Sequence, residues 1–224
     1  MASRGRLVVL EGGEGAGKST QAGLLAARLG ALLTREPGGT PFGETLRAVL
    51  LEPSRPRLAP RAELMLMLAA RAEHVESVLR PALERGRDVV CDRFSGSTLA
   101  YQGHGRGLPL EEVALACRIA AAGVEPDLTV LLDLPPEIGL RRSGAPAPET
   151  DLGAPRADRF EGEDLAFHRR VRAGYLDLAR AGGWPVVDAS TPVEEVAEHV
   201  AKVVERALGA SAAPGAPAAE RRRS

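Results

Sequence analysis

Short apolar runs alternate along this chain with longer segments in which apolar residues recur at helical spacing. The first run, residues 7–10, is rich in branched side chains and ends at Glu11, as expected of a strand buried on both faces. Alternation of such strands with helices is typical of a parallel sheet covered by helices on both faces. The pattern predicts a three-layer α/β fold whose sheet has five parallel strands, at 7–10, 31–33, 88–91, 128–132 and 185–187, with helices at 19–29, 42–51, 61–84, 110–122, 161–181 and 193–208.

A glycine-rich segment joins the first strand to the first helix. It fits the pattern G-x-x-x-x-G-K-[ST], in which backbone amides at a helix N-terminus surround phosphate groups. A compact ammonium fits inside such a ring of amides and a broad guanidinium does not, and Lys18 is one of only two lysines in the chain. The hydroxyl of Ser19 is the expected ligand of Mg²⁺. The segment predicts a nucleoside triphosphate site made by Gly12, Gly13, Glu14, Gly15, Ala16, Gly17, Lys18, Ser19 and Thr20.

Composition narrows the class of protein. The 30 acidic and 29 basic residues nearly cancel, so no charge bias toward nucleic acid or an acidic membrane is expected. Cys91 and Cys117 fall in apolar segments and are predicted core thiols, which suits a reducing compartment. No early apolar stretch has the length of a signal peptide or a membrane span. We therefore expect a cytoplasmic enzyme with one domain over residues 1–208 and a disordered tail at 209–224.

A second candidate cluster follows the third predicted strand and comprises Asp92 and Arg93 with Ser97, Thr98, Ala100, Tyr101 and Gln102. Ligands of open parallel sheets bind at the carboxyl ends of the strands, where Asp92 and Arg93 fall. An acid at this position can orient Mg²⁺ through water, and an adjacent guanidinium can bind a phosphate with two hydrogen bonds. A strand-end ion pair between the two residues explains the same dipeptide, and the sequence leaves both interpretations open.

Several ordered motifs point to one family. They are EGGEGAGKST at 11–20, REPGGT at 35–40, AAR at 69–71, DRF at 92–94, AYQG at 100–103 with GRG at 105–107, and DRFE at 158–161. Through these motifs the chain resembles the bacterial thymidylate kinases over about residues 7–188. The resemblance implies the P-loop nucleotide kinase fold, transfer of the γ-phosphoryl group of ATP to dTMP, Mg²⁺ as cofactor and a homodimer.

The resemblance also implies roles for individual side chains. Glu14 matches a carboxylate that approaches the 3′-hydroxyl of dTMP, and Tyr101 matches a ring packed under C2′. Arg93 matches an arginine on the acceptor phosphate, with Arg47 as a helper. Arg71 matches an arginine that contacts the thymine edge. The acceptor-binding helices are expected at about 36–84. The implied dTMP site comprises Glu14, Arg47, Met67, Arg71, Arg93, Thr98, Tyr101 and Gln102.

The lid is one of two places where the chain departs from the family pattern. One class of these kinases has an arginine where this chain has Gly15, and the other class compensates with a basic lid. The candidate lid here, about residues 141–160, has no basic residue between 143 and 151. Arg156 is the candidate at the transferring phosphoryl group, and Arg142 is a second candidate that can alternatively stack on adenine. Composition alone would describe a flexible polar loop.

Met67 is the second departure. Four residues before Arg71 the family usually has a phenylalanine that stacks on thymine, and Met67 offers a thioether instead. On periodicity alone, Met65 is expected to be core or gap filler, and Leu110, Val113, Leu115 and Ala116 are expected to be core.

Two other functions fit parts of the sequence. In a deoxyribonucleoside kinase, Glu36 after the second strand would deprotonate a 5′-hydroxyl of the acceptor. Arg93 together with Glu14 favours an acceptor that already carries a phosphate. A nucleotide-dependent switch is the third possibility, although the chain has no Asn-Lys-x-Asp motif for guanine.

Overall fold

A computed structural model describes residues 4–52, 58–144 and 158–209. Its sheet has five parallel strands in the order β2-β3-β1-β4-β5, which confirms the predicted fold class. The strands are β1 (Leu7–Gly12), β2 (Leu32–Arg35), β3 (Val89–Asp92), β4 (Leu128–Asp133) and β5 (Val186–Asp188). Because β1 lies between β3 and β4, its carboxyl end opens at the topological switch point of the sheet.

Helices cover both faces of this sheet. They are α1 (Lys18–Leu29), α2 (Pro41–Leu51), α3 (Pro60–His74), α4 (Arg80–Glu84), α5 (Ser95–Thr98), α6 (Leu110–Ala121), α7 (Pro136–Ser143), α8 (Leu165–Gly182) and α9 (Val193–Leu208). Val8 and Leu10 of β1 pack with α1 and α9, whereas Leu7 and Val9 pack on the opposite side. This alternation follows from the two-residue period of a strand.

The segment predicted as one long helix over 61–84 is interrupted. Between α3 and α4, residues Val75–Leu79 form a π-helical turn in which the Arg80 amide bonds to the Val75 carbonyl. Pro81 explains this, because proline has no amide hydrogen and its ring clashes with the carbonyl four residues earlier. The wider turn relieves that clash without ending the helical path.

Two helical segments were not predicted. Residues 95–105 form α5 and a π-helical segment at Leu99–Gly105, and α7 follows β4. The helical segment at 95–105 was not predicted because it contains Gly96, Gly103 and Gly105, and glycine is a weak helix former. They are needed for close packing: a methyl group at Gly105 would meet the Phe167 ring at 2.7 Å. The helix predicted over 161–181 begins later, at Leu165, where the Asp164 side chain caps it.

Some expected core residues lie at the surface. Val113, Cys91 and Cys117 are buried as predicted. Met65 is 60% exposed and Leu115 is 53% exposed, so the core prediction for both is wrong, and Leu110 is also exposed. Periodicity identifies an apolar helical face but does not show whether the same chain covers it. Among the described residues, no helix combines the length and apolarity that a bilayer crossing requires.

Candidate active site

The glycine segment forms the loop between β1 and α1. Gly17 adopts a left-handed conformation, φ 80°, immediately before the helix, and no side chain caps the first amides of α1. These amides are thus available to an anion, since a helix N-terminus carries unsatisfied N–H groups and partial positive charge. Lys18 is buried and its Nζ donates to the Gly13 carbonyl at 2.7 Å. The loop presents an ammonium and backbone donors to one cleft.

The charge state of Lys18 depends on its neighbours. Burial and the nearby Arg93 lower the pKa of Lys18 to about 8, against the opposing pull of Glu14 and Asp92. Two cations share this site, and the phosphate groups of a bound nucleotide would stabilise both. The site is therefore built for a polyanion.

Asp92 and Ser19 meet where β3 ends beside the loop. Ser19 Oγ donates to Asp92 Oδ2 at 2.5 Å. The other carboxylate oxygen, Oδ1, is buried and has no hydrogen-bond partner among the described residues. The side chain of Asp92 bonds to Ser19, and no ion pair with Arg93 is among its described contacts, so the strand-end ion pair is not the arrangement found.

Arg93 follows β3 in a left-handed conformation, φ 72°, that non-glycine residues adopt only rarely. Its guanidinium points back to the loop and donates to the Gly12 carbonyl at 3.1 Å and to Glu14 Oε1 at 2.9 Å. Strained backbone at the end of a central strand is typical of functional sites. Here the strain brings an arginine onto the phosphate loop.

Glu14 connects the loop to the neighbouring pocket. Its Oε1 accepts a hydrogen bond from the Tyr101 hydroxyl at 2.5 Å as well as from Arg93. Burial raises the pKa of the Glu14 carboxyl, but Arg93 and Lys18 outweigh this effect and lower the pKa to about 2. Glu14 is ionised at neutral pH and acts only as a hydrogen-bond acceptor.

A pocket adjoins the phosphate cleft. All eight residues of the implied dTMP site line it: Glu14, Arg47, Met67, Arg71, Arg93, Thr98, Tyr101 and Gln102. Phe94, Phe160 and Leu51 add apolar surface. Residues separated by up to 88 positions in the sequence are thus brought to one cavity.

Arg71 enters this pocket held on several sides. Its Nε donates to Glu36 at 2.7 Å, one terminal nitrogen donates to Thr98 Oγ1 at 2.9 Å, and the other lies 3.4 Å from the Cys117 sulfur. The guanidinium also stacks over Phe94, 5.1 Å from the ring centroid. A side chain with this many partners has one orientation, so Arg71 is not a solvated surface charge.

Glu36 is buried between two side chains. One carboxylate oxygen accepts from Arg71, and the other lies 3.0 Å from His74 Nδ1. His74 Nε2 is in turn 2.6 Å from Thr34 Oγ1. Both oxygens of Glu36 are engaged in holding Arg71 and His74, which disfavours the general-base role that the nucleoside kinase hypothesis requires.

Comparisons with known proteins agree with this geometry. A family model described as thymidylate kinase matches residues 10–200. The thymidylate kinase of Thermomicrobium roseum is 52% identical over 200 residues, covering 86% of this chain and 91% of that protein. That of Solidesulfovibrio magneticus is 51% identical over 209 residues, covering 90% and 99%. A crystal structure of thymidylate kinase from Ehrlichia chaffeensis matches with a TM-score of 0.70 and 29% identity, covering 90% of this chain and 99% of that one.

The chain belongs to the thymidylate kinase family. The P-loop kinase fold expected from the motifs is confirmed. The similarity supports ATP-dependent phosphorylation of dTMP to dTDP and does not favour the deoxyribonucleoside kinase alternative.

One departure from the thymidylate kinase pattern has a steric cause. Gly15 has φ 65°, and a methyl group there would collide with the Gly139 backbone of α7. Equally, a side chain at Gly139 would strike the Glu14 carbonyl. The paired glycines let α7 pack directly against the phosphate loop, so an arginine at position 15 is incompatible with this packing.

Of the two lid arginines, Arg142 is among the described residues and Arg156 is not. Arg142, near the end of α7, donates to the carbonyl oxygens of Ala189 and Ser190 at 2.7 and 3.0 Å. Its guanidinium therefore contacts the loop between β5 and α9. Arg156 and residues 145–157 of the lid lie outside the described residues. The catalytic assignments of both arginines remain predictions.

Two buried acids of the site were not predicted. Glu63 of α3 accepts hydrogen bonds from Gln102 at 2.8 Å and from Arg106 and Arg159 at 3.0 and 2.9 Å. Glu11 accepts from residues that follow Arg93, and burial raises the pKa of its carboxyl against the opposing effects of Ser97 and Arg93. An acid inside an otherwise apolar segment was the available indication for Glu11, because charged side chains are buried only when they have partners.

Proposed function

We propose that this chain transfers the γ-phosphoryl group of ATP to dTMP in dTTP biosynthesis, through the residues described above. One observation carries the proposal: the phosphate cleft and the apolar pocket share a wall formed by Glu14, Glu36, Arg47, Arg93 and Asp158. A donor phosphate beside Lys18 and an acceptor seated near Arg71 would meet at this wall. Positioning of the two phosphates is the main requirement of phosphoryl transfer.

Lys18 and Arg93 are the proposed catalytic cations. Lys18 would contact the β and γ phosphates of ATP, and Arg93 would contact the acceptor phosphate, where its fixed fork can form two hydrogen bonds. Arg47 of α2, which donates to the Pro37 carbonyl at 3.0 Å, is the proposed helper of Arg93 at the acceptor phosphate. Because dTMP is already a phosphate anion, the reaction needs no strong base, in keeping with the engaged oxygens of Glu36.

The acceptor pocket would recognise the nucleoside. Arg71 and Thr98 are proposed to contact the thymine edge, with Gln102 and Met67 beside the base. Glu14 would accept the 3′-hydroxyl, and Tyr101 would pack under C2′. Tyr101 is held by edge-on contacts with Phe160 and Tyr175, at centroid distances of 5.6 and 6.2 Å, so its ring cannot easily move to admit a ribose hydroxyl.

Ser19 and Asp92 are the proposed protein groups for Mg²⁺. The buried Oδ1 of Asp92, which has no protein partner among the described residues, and the Ser19 hydroxyl are oxygen donors of the kind Mg²⁺ prefers. Across residues 4–52, 58–144 and 158–209, no group of three acidic, histidine or cysteine side chains converges on a cation site. Phosphate oxygens and water would therefore supply the other ligands, and the bound ion would offset phosphate charge.

A homodimer in the cytoplasm is the proposed state of the enzyme. Exposed residues recur every four positions on α3, at Arg61, Met65 and Ala69, and Leu115 and Ile119 are exposed on α6. Arg61 of α3 and Glu112 of α6 form an ion pair at 3.8 Å between the two packed helices. The exposed Met65 and Ala69 of α3 therefore lie beside the exposed Leu115 and Ile119 of α6. Sedimentation should give the mass of two chains for the wild type and of one chain for Ile119→Glu.

The activity is tested by ADP release from ATP and Mg²⁺ with dTMP, dUMP, thymidine or AMP as acceptor. We expect strong preference for dTMP. Preference for thymidine would instead indicate a nucleoside kinase with Glu36 as base. ATP hydrolysis that does not depend on any acceptor would favour a nucleotide switch.

A further inference from the structure

Glu11 makes a network of hydrogen bonds at the carboxyl end of β1. Its side chain is fully buried. One oxygen accepts the backbone amides of Phe94 and Ser97, at 2.9 and 3.0 Å. The other accepts the hydroxyls of Ser97 and Tyr175, at 2.6 and 3.2 Å. A buried carboxylate with this many donors holds them in fixed positions.

The same two hydroxyls contact Arg93. One terminal nitrogen of Arg93 lies 3.1 Å from Ser97 Oγ and 3.1 Å from the Tyr175 hydroxyl, and these two oxygens are 2.7 Å apart. A hydroxyl that donates its proton to Glu11 presents its lone pairs to the guanidinium. The Glu11 carboxylate therefore orients the two hydroxyls, and the hydroxyls in turn fix the direction of the Arg93 guanidinium.

The backbone of Arg93 is held by the same acid. Its left-handed φ of 72° persists only if the surrounding structure enforces it. Glu11 binds the amides of the turn immediately after Arg93, and the Arg93 amide itself bonds to the Leu10 carbonyl at 3.0 Å. Gly96 leaves room for this arrangement, because a methyl group there would lie 2.7 Å from Glu11 Oε1.

We propose that Glu11 is a positioning residue for Arg93, acting through Ser97, Tyr175 and the turn after β3 to aim the guanidinium at the acceptor phosphate. Glu11 itself is not among the residues that line the cleft or the pocket. The inference rests on the proposed role of Arg93 at the dTMP phosphate. It predicts that loss of the Glu11 carboxylate weakens recognition of the acceptor phosphate and leaves recognition of the nucleoside intact.

The test compares binding of dTMP and thymidine by titration calorimetry in the wild type, Glu11→Gln and Tyr175→Phe. Glutamine keeps the size of the side chain but replaces one acceptor oxygen by a donor, which reverses a hydrogen bond to a hydroxyl. We expect the Kd ratio of thymidine to dTMP to fall about tenfold in Glu11→Gln and by a smaller factor in Tyr175→Phe, as a misaligned charge-assisted contact implies. The KM for ATP should change less than about twofold.

Asp133→Asn is the matched control, because Asp133 ends the neighbouring strand β4 and pairs with Arg172 at 2.8 Å. The Kd ratio of thymidine to dTMP in Asp133→Asn should equal that of the wild type. Equal weakening of both ligands in Glu11→Gln would mean a general structural role and would overturn the inference, as would an unchanged ratio. If Glu11→Gln does not fold, an unchanged ratio in Tyr175→Phe overturns it. A wild type that binds thymidine as tightly as dTMP would instead refute the proposed role of Arg93.

Discussion

The phosphate cleft and the acceptor pocket differ in the groups that they offer to a ligand. One continuous loop, Gly12 to Thr20, supplies backbone amides and a lysine to the cleft, and side chains such as Asp92 and Arg93 complete its lining. The pocket is made by side chains from α2, α3, α5 and the segment after it, and buried acids hold its polar groups. Glu36 holds Arg71 and Glu63 holds Gln102. The contrast suggests that the cleft tolerates changes in its surroundings better than the pocket does.

The difference also separates two kinds of recognition. A phosphate is recognised by charge and by amides that any sequence can supply, so the cleft requires mainly backbone shape. A base edge needs side-chain donors held at set angles, and each buried donor needs a partner of its own. Variants of Lys18 in the cleft should therefore impair ATP use, and variants of pocket residues outside the shared wall, such as Arg71, should impair dTMP use alone.

Lys18→Ala should produce the largest effect. We expect kcat/KM to fall about a thousandfold, ~4 kcal/mol, because a preorganised cation is lost at the transferring phosphoryl group. Lys18→Arg should be nearly as inactive, since the guanidinium does not fit the ring of amides. Steady-state ADP release with varied ATP measures both.

Lys202→Ala is the control for this pair. Lys202 is the only other lysine and lies exposed on α9. Its removal should leave the rate unchanged. Turnover near the wild-type rate in Lys18→Ala would contradict the assignment of the cleft as the catalytic phosphate site.

Arg71→Lys should give the next largest effect, and only on the acceptor side. Lysine retains the charge opposite Glu36 but cannot also bond Thr98 and contact the base edge. We expect the KM for dTMP to rise about 10- to 100-fold, as the loss of one or two charged hydrogen bonds implies. The KM for ATP should stay within about twofold of the wild-type value.

Arg61→Lys on the same helix is the matched control, because the Arg61 side chain is 74% exposed. It should leave both KM values unchanged. If Arg71→Lys raised the two KM values together, the cleft and the pocket would not be independent, and the comparison between them would fail.

The sequence predicted the cleft more completely than the pocket. The loop is contiguous, so its motif identified Lys18, Ser19 and their structural setting at once. The parallel sheet was predicted from its apolar runs because strands buried on both faces need little else. Arg93 was predicted from its place after the third strand, whereas Arg47, Met67 and Arg71 entered only through the family resemblance, since nothing local distinguishes Arg71 from an ordinary helical arginine.

Residues that act through others were missed for a physical reason. Glu11, Glu63 and His74 contact groups far away in the chain, and no local pattern contains those pairings. Glycines at 96, 103 and 105 concealed the helical segment that carries Thr98, Tyr101 and Gln102. Helix propensity is a weak guide where close packing requires glycine.

The pH dependence of ATP use should distinguish the cleft from the pocket. Burial and Arg93 lower the pKa of Lys18 to about 8, and the protonated form binds phosphate. Above pH 8, kcat/KM for ATP should fall about tenfold per pH unit, whereas kcat at saturating ATP should hold to higher pH because bound phosphates favour the ammonium. The Kd for thymidine should not follow the same curve.

Unfolding of the protein does not explain the expected fall of kcat/KM for ATP above pH 8. The folded pKa of Lys18 lies below its ordinary value of 10.5, so between about pH 8 and 10.5 the unfolded chain binds more protons at this group. Its contribution to the free energy of unfolding therefore rises with pH in that window. A Tm that falls in parallel with kcat/KM would show that another group controls the profile.

Met67→Phe should have the smallest effect, and it tests how finely the pocket is fitted. Met67 is half-buried, lines the pocket and packs in the cluster that contains Tyr101 and Phe160. A phenyl ring offers thymine a more orienting contact than a thioether, and the two contacts differ by less than about 1 kcal/mol. We expect the KM for dTMP to stay unchanged or to fall by up to about fivefold, with the KM for ATP unaffected.

A large rise of the KM for dTMP in Met67→Phe would carry more information than the expected small fall. If the KM for dTMP rose tenfold or more, the ring would be overpacked against Tyr101 or Phe160, and the methionine would be the side chain that this pocket requires. Recognition of the base would then depend on Arg71 and Thr98, with Met67 filling space beside them. An unchanged or lower KM would show that the arginine and its buried acid set the geometry of the pocket, and that the apolar wall next to them can vary.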